Sequence, residues 1–404
     1  MAAVIPGSRD AVFDKYPVAK WVTENPPATR FKWRLDAPAP ELSSHQRLMA
    51  RLTVHVDGRE LEKRRGDGEF LTLFQFEDAG GRVWQNHAAL DLQKLQPVQN
   101  SEVTVTGYAF VLPGDYTVTV AAVDTKSGEH GTIVRKLHVP DLKSEPLPGA
   151  WAGLPPVEFI TSVNDAPDVW YLPEIQTHPV LNLRTQRPLH VQILVNTTPS
   201  ERSSGSGLAM RRNMSVVIPA LKVLSQVHLT NGALDVAFLD LTHRKIPFEQ
   251  KDVREPDWAR ARQFFLGINP GIVDVQTLQG QWKMRKYFWD EVNRRLEPKD
   301  AAMPVEIILS GPAFFEDQQS VEAAAGPAGD RRIFYIRYRT ITPRPRVRPR
   351  PGMRPPLPPQ YYSQMPADDL QHTVEPLGAR IFDVTNPEQF RRVLAAILEQ
   401  LSQL

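Results

Sequence analysis

The sequence predicts two folded parts, an antiparallel β-sandwich followed by a doubly wound α/β domain. Three observations carry this reading. From residue 46 to 140, apolar residues recur at every second position in short runs separated by Gly, Asp and Pro turns. After residue 189, short apolar runs alternate with segments of helical period. At 404 residues, with 41% hydrophobic and 23% charged residues, the chain is too long for one ordinary core but has the composition of a folded protein.

Residues 1–45 read as an extended arm rich in proline and aromatic residues, as in "KWVTENPPATRFKWRLDAP". Trp21, Phe31 and Trp33 are its candidate interface aromatics, expected to lie against another surface because such side chains favour interfaces. The sandwich spans 46–140. Its segments "LMARLTVHVDG", "FLTLFQFEDAGG", "VWQNHAALDL", "SEVTVTGYAFV" and "DYTVTVAAVDTKSGEHGTIVRKLHVP" predict five or six strands, each burying one face. Pro113-Gly114 predicts a turn, Ser127-Gly128 a hairpin, and Tyr116, Val118 and Val120 a shared face. Residues 141–188 read as a proline-rich connector with one strand at "VEFITSV".

The α/β domain spans 189–404. It begins with a buried strand at 189–196, followed by a helix near 214–228 kinked at Pro219. Strands at "ALDVAFLDL" and "KIPFEQ" follow, then helices at 257–266 and 276–296. Strands at "VEIILSG" and "IFYIRYR", a helix near 367–377 and a strand at "ARIFDV" come next. The last helix, 387–403, is the best specified. Asn386 can cap it, Pro387 suits its first turn, and Phe390, Leu394, Ile397 and Leu401 share one face. Ligands of such sheets bind beyond the carboxyl ends of the strands, which puts weight on the loop after residue 195.

Composition removes several function classes. The chain has no cysteine, so disulfides, thiolate metal sites and cysteine nucleophiles are excluded. A net charge of +2 gives no general field for nucleic acid. No apolar run approaches the ~18 residues of a spanning helix, so the chain is not expected to span a membrane. The N-terminus "MAAVIPGSRDAVFDKYP" carries no secretion signal, which fits either a cytoplasmic chain or a mature exported one. Proline, 37 of 404 residues, is roughly twice its usual share and implies rigid extended connections.

Asn196, Thr198 and Ser200 place oxygen-bearing side chains at alternate positions beyond the strand, a layout suited to hard cations. None is charged. Asp240 and His243 sit together at a strand end, but no Gly-x-Ser-x-Gly elbow accompanies them, and ordinary turn polarity accounts for the pair. The ten histidines show no His-x-x-x-His spacing, and "SSGSG" at 203–207 lacks the Lys-Ser/Thr of a phosphate loop.

Residues 185–404 resemble the von Willebrand factor A domain, and more narrowly the related proteins of Acidobacteria. The resemblance rests on "VQILVNTTPS" where the family has an apolar strand and Asp-x-Ser-x-Ser, "VQTLQG" at its Thr loop, "VEIILSG" where it often has Thr-Asp-Gly, and "ARIFDVTNPEQFRRVLAAILEQL". The preceding immunoglobulin-like sandwich, ending "LPGDYTVTVAAVDTKSGEHG…LHVP", also looks like the N-terminal part of these proteins. The resemblance implies a metal-ion-dependent adhesion site at Asn196, Thr198, Ser200, Thr277 and Ser310. Asn196 and Ser310 stand where the family has acids, so the site is expected to be degenerate, with no metal and no cofactor. The expected function is non-enzymatic: adhesion or scaffolding outside the cell, with a protein partner that includes the chain itself as oligomer or filament.

An insertion at 341–362, "TPRPRVRPRPGMRPPLPPQYY" with its flanking Ile341, alternates Arg344, Arg346, Arg348, Arg350 and Arg354 with prolines. It reads either as an arm for an anionic polymer, polysaccharide before nucleic acid, or as a solvated loop. A hydrolase acting through Asp240 and His243 is the remaining alternative.

Overall fold

The computed structural model describes residues 10–23, 32–96, 98, 101–160, 177–198, 217–253, 256–267, 283–297, 301–314, 332–338 and 367–404. The chain divides into two compact units, Met1–Pro179 and Val180–Leu404.

The first unit holds two antiparallel sheets. One contains β1 (Trp33–Asp36), β2 (Glu41–Leu42), β3 (Leu48–Asp57), β6 (Glu102–Val111) and β9 (Val157–Ile160), in the order β1-β3-β6-β9 with β2 also on β3. The other contains β4 (Glu69–Asp78), β5 (Val83–Asp91), β7 (Gly114–Asp124) and β8 (His130–Val139), in the order β5-β4-β7-β8. Leu52, Val54 and Val111 of the first sheet meet Phe70, Phe76, Trp84 and Val118 of the second in one core. Gly107 fits closely there: a Cβ would sit 3.0 Å from the Phe74 ring, which would have to shift to admit it. The expected turns form, with Gly128 at φ +73°, and Tyr116, Val118 and Val120 face the core together. Tyr116 Oη donates back to Leu112 O at 3.0 Å, tying the β6–β7 corner.

Three sequence expectations need correction here. The arm is not separate from the sandwich: β1 and β2 are its strands, and the "connector" supplies β9, so the unit boundary falls at 179/180 rather than 188/189. β1 and β2, four and two residues long among prolines, are too short to show a period, and the strand expected at "VEFITSV" forms as β9 but pairs with β6 of the sandwich. The sheets also do not each bury only one face. Leu71 and Leu73 of β4, with Ala121 and Val123 of β7, are buried on the outer side under Phe13, Val18 and Trp21. That double burial explains why β4 reads as the near-continuous apolar run "FLTLFQF". Finally, of the helix expected at 214–228, residues 217–224 are helical while the turn before Pro219 lies outside the described residues, and Val227–Leu229 is instead strand β12, parallel to β10 (Leu181–Leu183).

The second unit is built on a six-stranded sheet of β11 (Leu189–Asn196), β13 (Gly232–Asp240), β14 (Lys245–Gln250), β15 (Met303–Ser310), β16 (Arg332–Tyr338) and β17 (Arg380–Val384). The spatial order is β14-β13-β11-β15-β16-β17, with β14 antiparallel and every other neighbour pair parallel. Counted along the sheet's own strands this is 3-2-1-4-5-6. Both faces are covered. Val191, Ile193, Leu234 and Ile307 meet Leu224 of helix 217–224 and Ile397 and Leu401 of helix Pro387–Ser402. Phe264 of helix Trp258–Gly267 lies 5.7 Å from Phe238 on that same side. Opposite, Leu194, Ala237, Ile308 and Tyr335 cluster with Phe288, Val292 and Leu296 of helix Met284–Leu296 and with Leu370 and Val374 of helix Asp369–Val374. The C-terminal helix follows its sequence signals: the Asn386 side chain accepts from Gln389 N, and Phe390, Leu394, Ile397 and Leu401 are buried.

Candidate functional site

Parallel strands in register bring side chains of neighbouring strands side by side, and at the carboxyl end of this sheet those side chains are polar. Val195 pairs with Leu309, so Asn196 and Ser310 come next to one another. Ser310 pairs with Arg337, and Arg337 with Asp383. Four adjacent strands thus end in one polar rung, of which Asn196, Ser310 and Arg337 are buried.

The rung is closed by its own hydrogen bonds. Asn196 Nδ2 donates to Ser310 Oγ at 2.9 Å, and Ser310 Oγ donates to Gly311 O. Asn196 Oδ1 accepts from Thr198 N at 3.0 Å, and Thr198 Oγ1 accepts from Leu241 N at 2.8 Å. Arg337 Nε donates to Asp383 Oδ1 at 2.7 Å. The expected trio Asn196, Thr198 and Ser310 is therefore together. Ser200 and Thr277 lie outside the described residues.

Magnesium favours carboxylate and water oxygens in a near-octahedral shell. The described members present an amide N–H aimed at a hydroxyl, a carbonyl occupied by a backbone N–H, and a threonine oxygen occupied by another. The donor set does not fit a divalent cation. Among the described residues no group of three or more His, Cys, Asp or Glu side chains is placed to hold a metal.

Sequence reasoning missed the acid of this region. Asp368, fully buried, sits just before helix Asp369–Val374 and caps it. Its Oδ1 accepts from Gln371 N at 2.8 Å, and its Oδ2 accepts from Ala313 N at 2.9 Å and Tyr335 Oη at 2.8 Å. Arg337 Nη1 lies 3.9 Å from Oδ1. Burial pushes the Asp368 carboxyl up from its ordinary value, opposed by these backbone donors, Tyr335 and Arg337. The Tyr335 hydroxyl is pushed up by burial and by the Asp368 charge. The one available sequence signal was "DDL", an aspartate at the start of a helical run. Arg337 lay hidden in the apolar strand "IFYIRYR", its partner revealed only by register.

Further down the same face is a second polar group. Gln192 Nε2 donates to Arg295 O at 2.7 Å, while Arg295 reaches Glu291 at 2.7 Å and Glu249 at 2.8 Å. Glu306, paired in register with Gln192, is fully buried, and neither carboxyl oxygen has a hydrogen-bond partner. Burial pushes its pKa up to about 8.

The remaining candidates are dispersed. Asp240 and His243 form one closed turn, His243 N to Oδ1 at 3.0 Å and His243 Nδ1 to Oδ2 at 2.7 Å. Trp21 is buried within the first unit, stacked on His130 at 4.0 Å between ring centres. Trp33 is half-buried against the sandwich core and lines an open cavity of about 510 Å³ with Lys32, Arg34, His55 and Glu102. Phe31, the insertion 341–362 and its five arginines Arg344, Arg346, Arg348, Arg350 and Arg354 lie outside the described residues, as does "SSGSG". Among the described residues no helix is long and apolar enough to cross a membrane.

No protein-family model matches the chain, and no curated protein matches it. Solved structures similar to part of it include the ApaA protein from Bordetella pertussis, 17% identical over 29% of this chain and 100% of that chain at a TM-score of 0.18. Another is a target of the Northeast Structural Genomics Consortium, 16% identical over 28% of this chain and 89% of that chain at a TM-score of 0.16. Likeness at that level bears on neither fold family nor function.

Proposed function

We propose that the chain is a non-enzymatic binding and assembly protein, combining an immunoglobulin-like sandwich with a von Willebrand factor A-like domain whose ion site has become a neutral hydrogen-bonded plug. The strand order 3-2-1-4-5-6 with its antiparallel third strand supports the second assignment. The corner bond from Tyr116 to Leu112, beside the order β5-β4-β7-β8, supports the first. Display outside the cell suits this build.

The observation that carries the reading is the 2.9 Å bond from Asn196 Nδ2 to Ser310 Oγ. It joins directly the two positions where a cation-binding relative would carry acids. With the ion replaced by internal pairing, what remains at the sheet's end is a rigid contact surface. Calorimetry of the full chain with millimolar Mg²⁺ or Mn²⁺ is expected to give no saturable heat. A saturable heat that disappears in Asn196→Ala would overturn the reading. Restoring acids in Asn196→Asp/Ser310→Asp is expected to create such a heat.

A further inference from the structure

We propose that residues 10–23 are an exchangeable strap whose partner is the outer face of the β4–β7 sheet in a second copy of this chain. The inference rests on the assembly reading above and names the surface through which copies join.

That outer face is unusual for an antiparallel sheet. Leu71, Leu73, Ala121 and Val123 put a patch of aliphatic side chains on the side turned away from the sandwich core. Water-exposed, this patch in the middle of a regular sheet would be an adhesive surface. The strap covers it with Phe13, Val18 and Trp21, and the resulting cluster is distinct from the one between the sheets. Lifting the strap therefore need not open the main core.

The strap is attached by side chains. Trp21 stacks on His130 with rings 18° apart, and Asp10 Oδ2 meets His87 Nδ1 at 2.5 Å. Its backbone hydrogen bonds, among them Phe13 to Asp10, Lys15 to Val12 and Trp21 to Pro17, close within the strap. Among the described residues no strand pairing joins it to the sheet. An element held this way opens at lower free energy than the paired strands beneath it.

The chain's own connectivity makes a second copy the fitting occupant. After the strap the chain runs through residues 24–31, "ENPPATRF", to β1, which belongs to the other sheet. Along the chain, strap and patch are thus linked only through residues 24–31 and the strands that follow. A strap from another copy presents the same Phe13, Val18, Trp21 and Asp10 to the same four aliphatic side chains and two histidines. Exchange conserves every contact, which is the condition under which swapping between identical chains is inexpensive.

The absence of cysteine permits a direct test. Full-length Asp10→Cys carrying an affinity tag is mixed with untagged full-length His87→Cys, treated with a short bis-maleimide and separated under denaturing conditions. Exchange is expected to yield a tagged–untagged covalent dimer that increases with concentration, exceeds the dimer from either variant alone, and is lost when Trp21→Ala is added to the tagged chain. The double variant Asp10→Cys/His87→Cys reports linkage inside one chain. Efficient linkage there with no mixed dimer would overturn the proposal. If light scattering then still shows association, the strap is excluded and the assembly reading survives on another surface. If the chain is also monomeric throughout, self-assembly fails with it.

Discussion

Glu306 and Asp368 are both enclosed on the same side of the parallel sheet, one at mid-strand and one at the carboxyl end. Their surroundings differ in kind. Asp368 accepts two backbone N–H bonds and a phenolic O–H, with a guanidinium 3.9 Å away. Glu306 has Arg295 for a neighbour, but that guanidinium already serves Glu291 and Glu249, and neither Glu306 oxygen is paired. A buried carboxylate without partners is costly, and the group responds by keeping its proton. The carboxyl end of the sheet is therefore a built polar network, whereas the mid-sheet acid is tolerated in its neutral form. That contrast separates a closed polar network from a single acid that merely survives folding.

The largest expected effect tests the unpaired member. Glu306 keeps its proton up to about pH 8 when folded and releases it near 4.5 when unfolded. The folded state binds more protons between these values, so stability falls as pH rises from about 4.5 to about 8 and then levels off. The accumulated loss is on the order of 4 kcal/mol at the upper end. Charged and titratable groups facing Glu306 are Arg295, Glu291 and Arg294, all on the helix packed above it. Urea unfolding of the full chain at pH 5 and pH 9 should show this decline, and Glu306→Gln should remove that part of it. An identical slope in the variant would assign the decline to other groups.

The paired member should fail differently. Asp368→Ala leaves Ala313 N, Gln371 N and the Tyr335 hydroxyl without their acceptor and removes the more deeply buried of the two carboxylates near Arg337, which keeps Asp383. A loss of roughly 3 kcal/mol is expected, the scale of breaking a buried charged network by removing one partner. A loss below about 1 kcal/mol, the scale of an exposed helix cap, would mean that water replaces the carboxylate freely and that the end of the sheet is not closed.

Legibility in the sequence followed the range of the interactions. Helix Pro387–Ser402 was readable to within a residue because cap, first-turn proline and apolar stripe are all local. Asn196 and Ser310 were readable as strand-terminal polar residues for the same reason. Their direct bond was not, since it spans 114 positions of sequence. Arg337 and Asp383 became partners only through strand register. Asp368 was invisible because a helix-capping aspartate looks the same in water as in a core. The short strands β1 and β2 were hidden among prolines, whereas β9 was readable as a strand at "VEFITSV" but not as a member of the sandwich sheet. The apolar run of β4 was visible, but not that residues near 13–21 would cover its second face.

The smallest expected effect supplies the control for burial itself. Asn386 and Asp368 make the same capping contact: Asn386 Oδ1 accepts from Gln389 N at 2.9 Å, and Asp368 Oδ1 accepts from Gln371 N at 2.8 Å. Asn386 is exposed, so water can solvate Gln389 N once the amide is gone. Asn386→Ala is therefore expected to cost about 1 kcal/mol in denaturant unfolding. Subtracting it from the Asp368→Ala loss leaves the share due to enclosure and to the additional donors, Ala313 N and Tyr335 Oη. Equal losses at the two caps would assign Asp368 an ordinary capping role and strip the carboxyl-end network of its special standing. A difference of about 2 kcal/mol would measure how tightly that end of the sheet is sealed from water.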